Sequence, residues 1–182
     1  MIKALRNSRL LLAFVIILMC LGCDQTTKKI AQDTLPRWYS ISYLWDTIRL
    51  QYVENPGVAF SIGAQWSKEV RWWLFSFGQG LFLLILAAHL LRNLSIHFYQ
   101  FLGFVLILGG GVGNFFDRVF RDGRVIDFLN IGIGNLRTAI FNVADIAIST
   151  GLVLLIYGLY REESEKKQSS ATERPPEVEA LE

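Results

Sequence analysis

Apolar residues gather along this chain in four runs, Leu10–Cys23, Trp72–Leu91, Phe98–Phe116 and Ala139–Tyr160, with polar and turn-forming residues between them. The last three are close to the roughly 20 residues a helix needs to cross a bilayer. The pattern predicts four transmembrane helices, about residues 8–30, 70–91, 98–118 and 139–160. The first run is short. At 1.5 Å per residue it covers about 21 Å of a roughly 30 Å hydrocarbon core, so its helix must continue into the polar residues that follow. Continuation would set Asp24 and Lys28 one turn apart on one face. That pair suits either a plain interfacial anchor with a solvated salt bridge or a charge held at the membrane boundary.

Between the runs the period changes. Residues from Leu35 to Trp66 are rich in Trp, Tyr and β-branched side chains, and Tyr43–Tyr52 partly alternates. This predicts a small β platform at the membrane interface, where Trp and Tyr are favoured. The platform ends in a turn at Glu54-Asn55-Pro56-Gly57-Val58-Ala59-Phe60, where Pro56 restricts Asn55 to extended conformations and Gly57 supplies a permissive position. Further on, Val125, Asp127, Leu129 and Ile131 share one parity, followed by Gly132 and Gly134. That reads as a short hairpin outside the membrane. A returning hairpin brings Asp127 back onto Asp145, which lies inside the last apolar run. A carboxylate at membrane depth is costly unless paired or solvated, so the two acids mark candidate chemistry.

Composition narrows the class. Of 182 residues, 52% are hydrophobic and 19% charged, and the mean hydropathy is +0.36, as in multispan membrane proteins. The net charge of +2 points to no partner, and there is no basic nucleic-acid patch, phosphate loop or repeat. Cys20 and Cys23 have C-x-x-C spacing without a nearby histidine or second cysteine pair, and read as buried small side chains. Lys3, Arg6 and Arg9 ahead of the first run imitate a secretory signal, and Leu21-Gly22-Cys23 imitates a lipoprotein processing site. Cys20 stands where that site usually has Leu, and three more spans follow, so the reading is a retained helix.

Polar residues are sparse in the spans. In Trp72–Leu91 only Gln79 and His89 are strongly polar, which reads as lipid-facing scaffold. Gly109, Gly110, Gly111 and Gly113 would let another helix approach closely. Asn114, Asp117 and Arg118 share one helical face, as a functional cluster, as structural ion pairing, or both. Asn142 and Asp145 fall in the first turns of the last span, with Ser149 one turn beyond. Four crossings put both termini on one side and Asp24, the platform, Asp117, Asp127 and Asp145 on the other. That second side holds ten of the 18 Lys and Arg, which leaves the orientation open; the N-terminal triplet favours a cytoplasmic start. Residues 1–160 form a single membrane domain, and 161–182, charged and proline-bearing, read as a disordered cytoplasmic tail.

Five motifs then occur in order: Asp24-Gln25-x-x-Lys28, Asn55-Pro56-Gly57-x-Ala59-Phe60, Gly113-Asn114-x-x-Asp117-Arg118, Val125-x-Asp127-Phe128 and Phe141-Asn142-x-Ala144-Asp145. Together with four spans they resemble bacterial lipoprotein signal peptidase, or signal peptidase II, from about Asp24 to Ser149. The resemblance implies a four-helix membrane fold with an extracytoplasmic β-rich platform. It implies an intramembrane aspartic endopeptidase of the bacterial inner membrane, active toward the periplasmic face, which cuts prolipoproteins just before their diacylglyceryl-modified cysteine. Asp127 and Asp145 would be the catalytic pair, needing no metal or other cofactor. Asn55, Asn114, Arg118 and Asn142 would line the site, with Gly57, Val125 and Ala144 in the same motifs; Asp24 and Lys28 would fix the first helix, and Asp117 would support. The expected partners are lipidated prolipoproteins and membrane lipid, with no nucleic acid, and the enzyme a monomer. Two other classes fit scattered intramembrane polar residues: a small proton-coupled transporter, and an assembly protein whose carboxylates only pair with Arg118, Arg121, Arg124 and Arg137.

Overall fold

The computed structural model describes residues 2–57 and 62–172. Val58, Ala59 and Phe60 of the Asn55 turn, and residues 173–182 of the tail, lie outside the described residues. Within those described, four helices are long and apolar enough to cross a membrane. They are α1 (Ile2–Thr34), α2 (Lys68–Arg92), α3 (Phe98–Phe120) and α4 (Val143–Thr172). Of the most apolar stretch of α3, 56% is buried, against 11–17% in the other three, which makes α3 the central helix. The outer helices turn Leu11, Phe14, Leu18, Leu84, Ile85, Val153 and Ile156 outward. Such surfaces belong in lipid.

The glycines of α3 explain its central place. A Cβ on Gly103 would sit 2.7 Å from the carbonyl oxygen of Gly151 in α4, and one on Gly151 would sit 2.7 Å from that of Gly103. A Cβ on Gly110 would strike the carbonyl oxygen of Ala144. The two backbones touch, as small residues at helix interfaces permit.

α1 begins earlier and ends later than the expected 8–30. At its start Arg9 Nη1 donates to the carbonyls of Leu94 and Ile96, in the loop between α2 and α3. At its end Ala31 packs with Tyr52, Ile126 and Phe128 of the sheet, so tertiary contact rather than lipid carries the helix on to Thr34. The reading of both cysteines as buried fails for Cys23, which is exposed; Cys20 is half-buried and lies against Gly109. A lipid-facing thiol and a buried one are equally apolar in sequence.

The platform and the hairpin, read separately in the sequence, form one antiparallel sheet in the order β1-β2-β3-β4. Its strands are β1 (Ile41–Tyr43), β2 (Ile48–Asn55), β3 (Val125–Ile133) and β4 (Leu136–Arg137). Tyr43–Tyr52 is not one strand, because Leu44, Trp45 and Asp46 take left-handed φ of 49°, 51° and 68° and reverse the chain. The Asp46 carboxylate holds that turn, accepting from Ser42 Oγ at 2.7 Å and from Arg49 Nε at 2.7 Å. Between Leu50 and Val53 a bulge shifts the register, so that Val53 faces Asp127 and Asn55 faces Val125. Asn55, Val125 and Asp127 therefore share one face, and Tyr52, Ile126 and Phe128 the other, against α1.

The last helix starts at Val143, not Ala139. Phe141 exchanges backbone hydrogen bonds with Leu129 at 2.8 and 2.9 Å, which holds the residues before Asn142 extended beside β3. At the other end α4 runs through Tyr160 to Thr172, where a disordered tail was expected. Pairs at i,i+4, Glu162 with Lys166 at 2.6 Å and Glu163 with Lys167 at 2.6 Å, suit a solvated helix with no apolar face.

Candidate active site

Two elements bring the candidate acids together. Asp127 sits on β3, 4% exposed, with Oδ2 accepting from Asn55 Nδ2 at 2.9 Å and Oδ1 from Asn142 Nδ2 at 2.7 Å. Asp145 sits in the first turn of α4. Its Oδ1 accepts from Asn114 Nδ2 at 2.8 Å and its Oδ2 from the backbone N–H of Asn142 at 3.1 Å. Asn142 answers with Oδ1 accepting the Asp145 N–H at 3.0 Å. Asn142 is thus the cap of α4 rather than a member of its first turn, and Asp145 is the third residue of a reciprocal capping box. One side chain caps a helix, orients one acid and touches the other.

A second cap comes from α1. Asp24 Oδ1 accepts the N–H of Ala144 at 2.9 Å, satisfying another of the free donors at the start of α4. Asp24 and Lys28 are both fully buried, which decides against a solvated anchor. Lys28 Nζ lies 2.7 Å from Asp24 Oδ2, 2.9 Å from Asp117 Oδ2 and 3.0 Å from Asn114 Oδ1, so its three donors are spent. Arg121 Nε reaches Asp117 Oδ1 at 3.2 Å, giving two carboxylates two cations. Asp117 Oδ2 also accepts the N–H of Ile126 at 3.1 Å, tying α3 to the strand that carries Asp127. Gln25 Nε2 adds a contact to Asp117 Oδ1 at 3.1 Å.

Arg118 holds the turn after β2. Its Nη2 donates to the Gly57 carbonyl at 3.1 Å, while Asn55 Oδ1 accepts the Gly57 N–H at 2.9 Å. The side chain of Asn55 closes this turn as well as touching Asp127. Arg118 Nη1 donates to Gln79 Oε1 at 2.8 Å, and Gln79 Nε2 donates to the Gly111 carbonyl at 3.0 Å. Gln79 therefore belongs to the site, and the scaffold reading of its helix is corrected. Its signal was present: a lone amide in an apolar span needs partners.

These groups border a cavity of about 950 Å³ between α2 and α4, walled by Phe75, Phe82, Ile146 and Ile148, with Asp127, Asp145 and Arg118 at one end. All twelve site residues picked out in the sequence meet at this junction of helices and sheet, and the two candidate acids are not held in pairs with arginines as an assembly protein would have them. Asp127 and Asp145 accept from amides, whereas Arg121 goes to Asp117, Arg124 to Glu54 and Arg137 to Asp46. Burial pushes the Asp127 carboxyl up to about 6; the nearby Asp145 charge adds to the rise, and the Asn55 hydrogen bond opposes it. A carboxyl that keeps its proton up to about pH 6, beside another that is partly open to a cavity, can exchange protons with water and hydrogen-bond a carbonyl.

A bundle of four membrane helices, capped by a sheet that encloses a polar cavity with apolar walls, defines an integral membrane protein with the site of an enzyme. A family model described as Signal peptidase (SPase) II matches residues 16–161. The lipoprotein signal peptidase of Desulforapulum autotrophicum is 36% identical over 152 residues, 83% of this chain and 93% of that relative. That of Streptococcus pneumoniae is 32% identical over 149 residues, 82% and 92% of the two chains. A solved bacterial membrane enzyme superposes with a TM-score of 0.72 at 26% identity, covering 85% of this chain and 90% of that one. The chain belongs to the signal peptidase II family and is a multi-pass bacterial membrane protease. That membership overturns the transporter reading.

Proposed function

We propose that this protein is an aspartic endopeptidase of the bacterial inner membrane, which removes the signal peptide from prolipoproteins immediately before the diacylglyceryl-modified cysteine. The observation that carries the reading is the bridging by Asn142, whose side chain reaches Asp127 at 2.7 Å and whose backbone reaches Asp145 at 3.1 Å. The pair shares one proton. Burial raises the Asp127 carboxyl, and the charge of Asp145 beside it adds to the rise, so the two titrate as a pair.

Protonated Asp127 then donates a hydrogen bond to the scissile carbonyl while Asp145 takes a proton from water, whose oxygen attacks the carbonyl carbon. The C–O bond forms, and the carbonyl π electrons move to the oxygen, which takes the proton of Asp127. Collapse of the tetrahedral intermediate returns that proton to Asp127, and the proton on Asp145 passes to the departing amine of the lipidated cysteine. Both carboxyls end as they began. Asn114 and Asn142 orient the acids, Arg118 steadies the Gly57 turn, and Asp24, Lys28 and Asp117 hold the helices that carry them.

The diacylglyceryl group stays in the bilayer, so a cavity open sideways between α2 and α4 receives the modified cysteine without pulling it into water. The platform, with Trp38 and Trp45 almost fully exposed, clamps the substrate from the aqueous side. Both termini are cytoplasmic, the site faces the periplasm, and the enzyme works as a monomer. The test is cleavage of a lipidated and an unlipidated preprolipoprotein by purified enzyme and by separate Asp127→Asn and Asp145→Asn variants. The reading requires cleavage only of the lipidated substrate, before its cysteine, and loss of roughly 10³-fold or more in kcat by each variant, with unchanged melting. Turnover by either variant near the wild-type rate overturns it.

A further inference from the structure

A second groove, about 770 Å³, runs along the opposite side of α2, between it and α3, with Ile17 of α1 at its floor. It is separate from the cavity that holds Asp127 and Asp145, but Arg118 lines both. Its walls are apolar, among them Leu83, Ala87 and Leu108. Two buried donors border it, Ser76 Oγ and Arg118 Nε, and among the described residues neither has a hydrogen-bond partner. Leaving a buried polar group unpaired costs free energy, so these atoms point to an absent acceptor. Ser76 belongs to the π-helical turn Trp72–Phe77. Its hydroxyl bonds no carbonyl of its own helix, the usual outlet for a buried helical serine. Wide turns of this kind are often found at functional sites.

We infer that this groove receives the acyl chains of the substrate's diacylglyceryl group, with Ser76 Oγ and Arg118 Nε donating to the ester carbonyl oxygens. The inference rests on the proposed function and adds a second subsite: signal peptide between α2 and α4, lipid between α2 and α3. The modified cysteine directly follows the bond to be cut, so its side chain must leave the cavity within one residue of the two acids. Arg118, shared by both spaces, marks that exit. The mouth argues against a phospholipid headgroup as occupant. Lys68 Nζ is paired with Asp122 at 2.7 Å, and Arg71 Nη1 donates to the Ala64 carbonyl at 2.7 Å. The cations there are engaged, whereas the vacant donors lie inside, where neutral esters fit. From Ser76 to Ala87 the groove follows α2 for about 16 Å, room for an extended chain.

The inference is tested with a prolipoprotein whose acyl chains carry a terminal diazirine, photolysed on the Asp145→Asn enzyme and mapped by mass spectrometry. Label should fall on Leu83, Ala87 or Leu108. Label on Phe82 or Ile148 of the other cavity overturns the assignment, as does label removed by excess phosphatidylglycerol while the wild-type enzyme, under the same excess, still cleaves at its usual rate. In kinetics, Ser76→Ala should raise KM for the lipidated substrate about three- to tenfold, with kcat within about twofold. Ala87→Phe, which shortens the groove, should raise KM for a dipalmitoyl substrate but not for a dibutanoyl one. Equal KM in wild type and both variants overturns the lipid subsite but leaves the aspartate reading standing. Loss of the aspartate reading shows instead as cleavage by the Asp127→Asn and Asp145→Asn enzymes.

Discussion

Asn142 and Asp145 exchange two hydrogen bonds across the first turn of α4, side chain to backbone in each direction, at 3.0 and 3.1 Å. The acid is therefore placed by the same cap that starts its helix, and folding of α4 and assembly of the site are one event. Replacing Asn142 separates the two roles. Asn142→Ala removes the cap and the donor to Asp127, and should lower unfolding free energy by about 1 kcal/mol and kcat by roughly 10²-fold. Asn142→Ser should recover most of the stability, because serine caps well, without recovering the rate, because its short hydroxyl does not span to Asp127. Thermal unfolding beside kcat reads both.

In the proposed mechanism the acid pair sets a pH dependence. With Asp127 at about 6, up from 3.8, the shared proton is held below that value and lost above it. The activity of the free enzyme, read as kcat/KM, should fall as pH rises through about 6. The stability linkage has the same direction. A carboxyl raised on folding contributes stability that is fully present below 3.8 and disappears as pH climbs through about 6. Asn55→Ala deletes a hydrogen bond that favours the charged form, so the falling limb should move to higher pH in the activity that remains. A limb left in place would mean that another group controls it.

Much of this arrangement could be read from the chain, and the reasons differ by element. Run length exposed the four spans, and the parity of Val125, Asp127 and Leu129 exposed the hairpin. Helix ends were misjudged wherever contact, not hydropathy, decides them. α1 runs on because Ala31 meets the sheet, α4 starts late because Phe141 pairs with Leu129, and its far end is held by charge pairs with no apolar period. The single sheet was hidden because β2 and β3 lie on either side of two spans, and no local pattern announces such a pairing. Gln79 stands out as a lone amide but reads as part of a lipid-facing scaffold, and Ser76 carries no signal because one small hydroxyl in an apolar run has no period to detect.

Gln79 should act on binding more than on chemistry. It holds Arg118 Nη1 at 2.8 Å, and Arg118 in turn holds the Gly57 carbonyl. Gln79→Leu leaves the guanidinium with one fewer fixed partner and loosens the turn beside Asp127. KM should rise severalfold with kcat nearly unchanged, whereas Gln79→Glu, which keeps the acceptor for Arg118 but loses the donor to the Gly111 carbonyl, should fall between Gln79→Leu and wild type. An equal fall in kcat would place Gln79 with the acids instead.

The buried ions make a sharper test of support against chemistry. Lys28→Met leaves Asp24 and Asp117 facing each other without the ammonium that lies 2.7 and 2.9 Å away. Breaking a buried pair from one side costs about 3–5 kcal/mol. The variant should melt far below wild type. Adding Asp117→Asn should restore part of the loss, since it removes the repulsion between the two carboxylates while keeping an acceptor for the Ile126 N–H. If the double variant is no more stable than the single, the two residues do not act as a pair.

Gly110 carries the closest approach between α3 and α4, against the Ala144 carbonyl, one residue before Asp145. A methyl group there has backbone in its path, and backbone cannot rotate aside. Gly110→Ala must therefore push the start of α4 away from α3, lengthening the Asn114–Asp145 hydrogen bond of 2.8 Å and the Ala144–Asp24 bond of 2.9 Å. The expected cost is about 1–3 kcal/mol of stability, together with a fall in kcat that a packing defect elsewhere would not produce. Gly22→Ala is the control. A Cβ at Gly22 meets nothing within 4 Å, and alanine is the better helix former, so that variant should be as stable as wild type or slightly more so, at full activity. Matching losses at the two positions would mean that the contact between α3 and α4 does not govern the effect.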